Sequence, residues 1–451
     1  MPKKNARFVL LVASAGFLFA GSCSQTPESE TPAPIESNEV VVLETMDEPT
    51  ARTDLSLVNG PELSELEFGP ENTLFAASNE TEAIYAFQLR ASDIGEAPAQ
   101  PTPFNLESLG TELSILFGVQ PLDVIYNDLA VHPVSSEAYL SVNVRAETGE
   151  FPALVRIKQN GELSVINTSD LDFDKIELSD PADEDIVFWR DVPAASLTVT
   201  DLEFSDGKLL VAGLSTGEFA STLRTIDFPF DEQVSSSSIE IFHTAHNQNE
   251  TRAPIRAMTV AMVNGERTLI AAYTCTPLVT IPASSLQDGE HVFGKTIAEL
   301  GYGNVPVEVL SISTLNMQTQ QPEEFVLVIN REMSANLIRM EDLAAAAAAP
   351  GITTAFKGLG DTMGVENSRH PLSGVIQADV QDAQFILILK RNIDSGEIEL
   401  VSQMKGSYFR LSDFVSEYNF PDYDYAESQA MTQMFHNMVK PMEGYPELVR
   451  N

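Results

Sequence analysis

Between about residue 60 and residue 405 the apolar residues arrive in short runs of four to eight, broken by turn chemistry, and the dominant alternation has period two. The clearest unit is "TDLEFSDGKLLVAGLSTGEFASTLRTIDFPF", continued by "SSIEIFHT". Here "TDLEF" and "KLLVAGL" flank Ser205-Asp206-Gly207-Lys208, a hairpin signal, and "STLRTIDF" and "SIEIFH" alternate as further strands. The same order recurs in "LSELEFGPENTLFAASNETEAIYAFQL", with its turn at Gly69-Pro70-Glu71-Asn72, and in "NDLAVHPVSSEAYLSVNVR" with "PALVRIKQNGELSVIN". It returns in "PIRAMTVAMVNGERTLIAAYTCTPLVTIP", "VEVLSISTLNMQTQQPEEFVLVINREMSANLIRM" and "SGVIQADVQDAQFILILKRNIDSGEIELVSQM". First strands are expected near Leu63, Asp128, Asp201, Ile255, Val307 and Gly374, at spacings of roughly 50 to 70 residues that suit four-stranded units with long loops.

Six such copies with few helices predict an all-β fold, a β-propeller of six four-stranded blades. Residues 169–195 or the C-terminal tail could complete a seventh, and two successive sandwiches are the rival architecture. Two stretches read as helix. "MEDLAAAAAAP" (340–350) does so by alanine propensity, and "ESQAMTQMFHNMVKP" (427–441) by Met431, Met434, Phe435 and Met438 on one face. The units "LEFGPENTLFAASNETEAIYAF" and "LEFSDGKLLVAGLS" resemble the secreted YVTN and NHL-like propellers, whose blades follow "DLAFSPDGKTLYVAN…NTVSVID" in outline. The resemblance spans about residues 60–405 and implies the fold. With Trp189 as the sole tryptophan, neither Trp-Asp repeats nor the tryptophan docking motifs of quinoprotein propellers are present.

The N-terminus changes the picture from fold to location. Lys3, Lys4 and Arg7 precede thirteen apolar or small residues, FVLLVASAGFLFA, a length that suits a secretory signal and is too short for a membrane span. The following "AGSC" resembles the bacterial lipobox, which implies diacylation of Cys23 as the first residue of the mature chain; Ala20 stands where leucine is usual. Ser24 follows, where an aspartate would favour inner-membrane retention. The expectation is therefore a bacterial outer-membrane lipoprotein with a lipid anchor, periplasmic or surface-facing. Residues 1–22 are its signal peptide, 23–54 a Pro/Ser/Glu-rich disordered tether, 55–410 the propeller and 411–451 a tail with a short helix.

Removing residues 1–22 takes away Lys3, Lys4 and Arg7 and no acid, so the net charge goes from −40 to −43. Such a chain repels nucleic acid and anionic lipid, which excludes a DNA- or RNA-binding role. Cys275 is the only cysteine besides Cys23, so no disulfide between two protein thiols forms in an acylated chain.

Against this acidity the few cations stand out. In a propeller, loops joining second to third strands share one face with the loops leading into each next blade. Arg145, Arg252, Arg256, Arg331, Arg369, Lys390 and Arg391 fall in or beside those loops, seven of the 23 basic residues of the mature chain. They are candidates for an electropositive funnel that recognises an anionic small molecule, a glycan or a protein. The alternative is that each neutralises a neighbouring acid such as Glu147, Glu332 or Asp394. His243 and His246 form an H-x-x-H that could ligate a metal, although a strand running out into a loop gives no reason for the two side chains to converge. Lactonase-like propellers hold a divalent ion in the channel, and that resemblance would make Asp123, Asp128, Asp201, Asn304 and Glu308 the oxygen ligands of a channel Ca²⁺ or similar ion. No HExxH, CxxCH, GxSxG or phosphate-cradling glycine loop occurs, and no catalytic residue is assigned. The leading expectation is a non-enzymatic binding or scaffold module with no resident cofactor, and the alternative a metal-dependent hydrolase of the lactonase type.

Overall fold

The computed structural model describes residues 53–406, apart from 56–57, 276, 302, 317–318 and 356–361. The expected signal peptide, Cys23, all but the last two residues of the tether and the helix at 427–441 lie outside the described residues.

Turn chemistry sets the local hairpins. Asp206 and Gly207 both have positive φ (56° and 75°), a two-residue turn of the kind that matches strand twist, between Asp201–Ser205 and Lys208–Leu214. Asn264 and Gly265 (53° and 81°) do the same between Ala257–Val263 and Glu266–Ala272. The second strand of each unit is apolar almost throughout: Thr73–Ser78 is buried at all six positions, and Leu209–Leu214 and Phe385–Leu389 are buried likewise. Such strands are covered on both faces, so each sheet must be sandwiched between two others.

Among the described residues the strands form six four-stranded sheets, in the arrangement of a β-propeller. From the innermost strand outward, the first sheet is Glu65–Phe68, Thr73–Ser78, Ala83–Gln88 and Asp172–Glu177. The second is Val124–Val131, Ala138–Ala146, Gly149–Ile157 and Leu163–Ile166. The third is Asp201–Ser205, Lys208–Leu214, Ser221–Asp227 and Val234–His243, and the fourth Ala257–Val263, Glu266–Ala272, Pro277–Pro282 and His291–Glu299. The fifth is Pro306–Leu315, Pro322–Asn330, Ala335–Arg339 and Ser368–His370; the sixth is Val375–Val380, Phe385–Arg391, Ile398–Met404 and Asn105–Leu106. The outermost strands of the third and fourth sheets also pair in parallel, Ser238–Ile241 with His291–Gly294. Residues 169–195 form no further four-stranded unit: 172–177 complete the first sheet, and Val187–Phe188 and Val192–Pro193 make a separate small hairpin.

The innermost strands touch one another in a closed cycle, and its order is not that of the chain. Around the ring the sheets run second, first, third, fourth, fifth, sixth, and back to second. Six apolar layers separate neighbours in the same order. Phe75, Ile84, Leu202 and Val211 pack between the first and third sheets, and Leu310, Leu327, Ile386 and Ile388 between the fifth and sixth. Between the sixth and second, a helix that the period-two pattern concealed, α1 (Leu109–Phe117), inserts Leu109, Leu113 and Phe117 among Leu387, Leu400, Val142 and Val155. The helix expected at 340–350 is α2 (Met340–Ala348), which buries Leu343 against the fourth and fifth sheets.

Candidate functional site

An innermost strand has one edge without a strand partner, so its amide and carbonyl groups face the channel unpaired. The sequence answers with acids at alternate positions: Glu65 and Glu67, Asp128, Asp201 and Glu203, Glu308, and Asp379, drawn from five of the six innermost strands. Each of five carboxylates accepts a hydrogen bond from the free amide of the next strand round the ring. Asp379 Oδ2 takes Val131 N at 2.7 Å, and Asp128 Oδ2 takes Leu66 N at 2.7 Å. Glu67 Oε1 takes Phe204 N at 3.0 Å, Asp201 Oδ2 takes Met258 N at 2.5 Å and Glu203 Oε1 takes Val260 N at 2.9 Å. All five point the same way round the cycle. Gln377 continues the series with its amide, donating to Asn127 O at 2.9 Å. These side chains are latches between sheets. Glu308 bonds within its own strand, to Val309 N at 2.8 Å.

The latches enclose a cavity of about 150 Å³ lined by Glu67, Asp128, Asp201, Glu203, Glu308 and Asp379. Burial pushes the carboxyls of Asp128, Glu203 and Asp379 up to about 7. Glu65, Glu67, Asp201 and Glu308 are also raised, first by burial and then by the charges of their neighbours. A carboxylate has acceptor capacity beyond one latching bond, so the group retains oxygen lone pairs for a cation. A larger open cleft of about 280 Å³, at the far ends of the third and fourth sheets, includes Lys208, Asp227 and Arg267. Its cations are already paired, Lys208 with Asp227 and Arg267 with Asp206, which makes it the weaker candidate.

The structure sorts the expected binding residues. Arg256, at the head of the fourth sheet's innermost strand, is half-buried beside the channel; burial works against its charge, while Glu65 and Asp201 support it and Arg331 opposes it. Arg331 is exposed in the loop after Asn330. The others serve their own surroundings: Arg145 faces Glu150 at 3.5 Å, Arg252 reaches Glu218 O at 3.4 Å, Lys390 meets Glu399 at 3.3 Å and Arg391 holds Gly396 O at 3.0 Å. Arg369 lies on the fifth sheet's outermost strand. Of the oxygen donors, Asp128, Asp201 and Glu308 meet in the channel. Asp123 instead caps a turn at Gln120 N, and Asn304 is buried at Leu300 O. Glu65, Glu67, Glu203 and Asp379 join the channel set without having been singled out. The available signal was an acid in five of the six expected first strands, at alternate positions in two of them.

His243 and His246 lie on the outer rim, because the strand Val234–His243 is the outermost of its sheet. The chain folds straight back after Thr244–Asn247, and Gln248–Glu250 pairs with Ile241–His243. That reversal makes the two imidazoles converge, with ring centroids 4.0 Å apart, on Glu250: His243 Nδ1 lies 2.9 Å from Oε2 and His246 Nδ1 2.5 Å from Oε1. Burial works to raise the Glu250 carboxyl, but the two histidines overcome it and hold it at about 2. Cys275 is half-buried and is not among these donors.

No protein-family description matches the chain, and no curated protein does. Among solved structures, similar ones include Drosophila semaphorin 1b, extracellular domains 1–2, at 8% identity over 75% of this chain and 84% of that one, with a TM-score of 0.33. The PQQ-bound aldose sugar dehydrogenase of Streptomyces coelicolor is 9% identical over 76% and 94%, TM-score 0.30. Kuenenia stuttgartiensis hydrazine synthase is 12% identical over 80% and 99%, TM-score 0.28. Likeness at this level carries no inference about ligand or reaction.

Proposed function

We propose that the protein is a binding module, carried on the bacterial outer membrane by an acylated Cys23, whose channel takes a hard divalent cation of the Ca²⁺ type. An anionic group of its ligand would then sit over the channel mouth against Arg256 and Arg331. The reading rests on one observation: carboxylates from separate sheets, Asp128, Asp201, Glu308 and Asp379 among them, converge on one small cavity where their charges oppose one another. A cation with six to eight oxygen ligands relieves that opposition, and multiple carboxylate oxygens are the donor set it prefers.

Calorimetric titration of chelator-treated full-length protein with Ca²⁺ tests this. We expect about one ion bound per chain, and at 100 Kd a stabilisation of about 2.7 kcal/mol, read as a rise in Tm. The double variant Asp201→Asn, Glu308→Gln should lose both. A folded protein that takes up no Ca²⁺ would overturn the reading.

Hydrolysis is a second reading, favoured by Glu65 and Glu308. Both stand outside the latching set, and burial raises their carboxyls, which favours the protonated form that a general acid needs. It requires Ca²⁺-dependent turnover of a lactone or aryl ester that falls sharply in Glu308→Gln. Calcium binding without turnover leaves the binding module.

A further inference from the structure

On the outer rim, Glu250 sits between two imidazoles whose Nδ1 atoms face its two oxygens, and donor atoms of all three residues lie within 4.8 Å of one another. Gln248 Nε2 also donates to Glu250 Oε1, at 3.3 Å. Hydrogen bonds alone leave this cluster incomplete. His243 is buried, only 3% exposed, and its Nε2 has no hydrogen-bond partner. That nitrogen is 4.0 Å from Oε2 of Glu299, a residue 1% exposed at the end of the fourth sheet's outermost strand. Glu299 accepts from Thr244 Oγ1, and its other oxygen, Oε1, is buried without a partner.

The tautomers expose the mismatch. If His243 carries its proton on Nδ1 to serve Glu250, then Nε2 is a buried acceptor turned towards a carboxyl oxygen. If a metal ion takes Nδ1 instead, the proton moves to Nε2 and points at Glu299, the carboxylate–histidine–metal arrangement that orients ligating histidines elsewhere. A shift of about 1 Å in His243 or Glu299 closes the 4.0 Å gap to hydrogen-bond length. Two imidazole nitrogens and one carboxylate oxygen form a borderline donor set that suits Zn²⁺ and related ions, and they leave a coordination position for water or an external ligand. His246 is exposed, so that position opens to solvent.

We propose that His243, His246 and Glu250 bind a Zn²⁺-class transition-metal ion, with Glu299 as the buried partner that orients His243. The site is separate from the channel in both position and chemistry, nitrogen-rich on the outer rim against all-oxygen at the centre. It therefore stands or falls independently of the calcium reading.

The test is titration of chelator-treated full-length protein with Zn²⁺ alone, followed by Co²⁺ as a spectroscopic probe of nitrogen ligation. One Zn²⁺ per chain and visible Co²⁺ d–d bands are expected. His246→Ala changes an exposed side chain and should leave the circular dichroism spectrum intact while abolishing both signals. Glu299→Gln should weaken Zn²⁺ binding by about 10- to 100-fold without changing stoichiometry. His291→Ala removes a different histidine–carboxylate pair, with Glu240 at 2.8 Å, and should change nothing. Zn²⁺ binding unaltered in folded His246→Ala would overturn the proposal and place the ion elsewhere. Absence of binding in the parent protein would overturn it in favour of a proton shared between His243 and its two carboxylates.

Discussion

At the scale of single residues, the channel acids show one side chain serving two opposed demands. Asp379 ties the sixth sheet to the second by accepting from Val131 N and also accepts from Val380 N of its own strand, yet burial pushes its carboxyl up to about 7. The folded chain therefore keeps a proton between about pH 4 and pH 7 that the unfolded chain has lost. Stability is highest below the ordinary carboxyl range and falls as pH rises through 7. In calcium-free buffer, Asp379→Asn keeps an acceptor for Val131 N and has no proton to lose. It should be more stable than the parent at pH 8 and close to it at pH 4. Asp379→Ala leaves the amides unpartnered and should cost about 1–3 kcal/mol at both pH values. Urea unfolding at the two pH values checks this, and an Asn variant weaker than the parent at pH 8 would show that the carboxyl is ionised and satisfied. The sequence displays these acids plainly, but in a chain of 66 Asp and Glu their number carries no signal. Only the ring shows which of them meet.

At the scale of elements, strands and tight turns were legible because their chemistry is local. Asp206-Gly207 makes its own turn, and "KLLVAGL" can only be a doubly covered strand. The ladder partners of outer strands were not legible. Asp172–Glu177 returns to the first sheet after the whole second sheet has intervened, and Asn105–Leu106 pairs with Leu400 and Val401 nearly 300 residues away. Helix α1 hid because its apolar face is short and lies inside a stretch framed by strands. Close packing between elements gives a test at this scale. A Cβ on Gly213 would stand 2.0 Å from Thr198 O, so the third sheet depends on glycine there for contact with the turn that precedes it. Gly213→Ala should lower stability by about 1–3 kcal/mol in chemical denaturation. A neutral effect would mean that the turn at Leu197–Thr198 yields freely.

At the scale of the whole molecule, the described ring is held by six apolar layers and by carboxylate latches at four of its six junctions, with no disulfide among the described residues. A net charge of −40 across the chain disfavours adsorption to anionic membranes. The anchor proposed above therefore rests on acylation of Cys23 and not on the surface of the propeller. In a bacterial host that processes lipoproteins, Cys23→Ser should move the protein from the membrane fraction to the soluble fraction. Retention on the membrane would count against acylation as the anchor.

The sequence by itself determined the all-β character, the six first strands to within a few residues, α2 and the turns that join neighbours. These follow from φ preferences and side-chain periodicity over a few residues. Tertiary structure alone decided the order of sheets round the ring, the origin of the outer strands, and which charged groups meet. The same H-x-x-H that a straight loop would have scattered became a three-residue cluster, because the chain reversed at Asn247 and paired Glu250 back against Ile241. Ring order and convergence depend on contacts between residues far apart in the chain, where the free energy lies in shared burial and local preference has nothing to report.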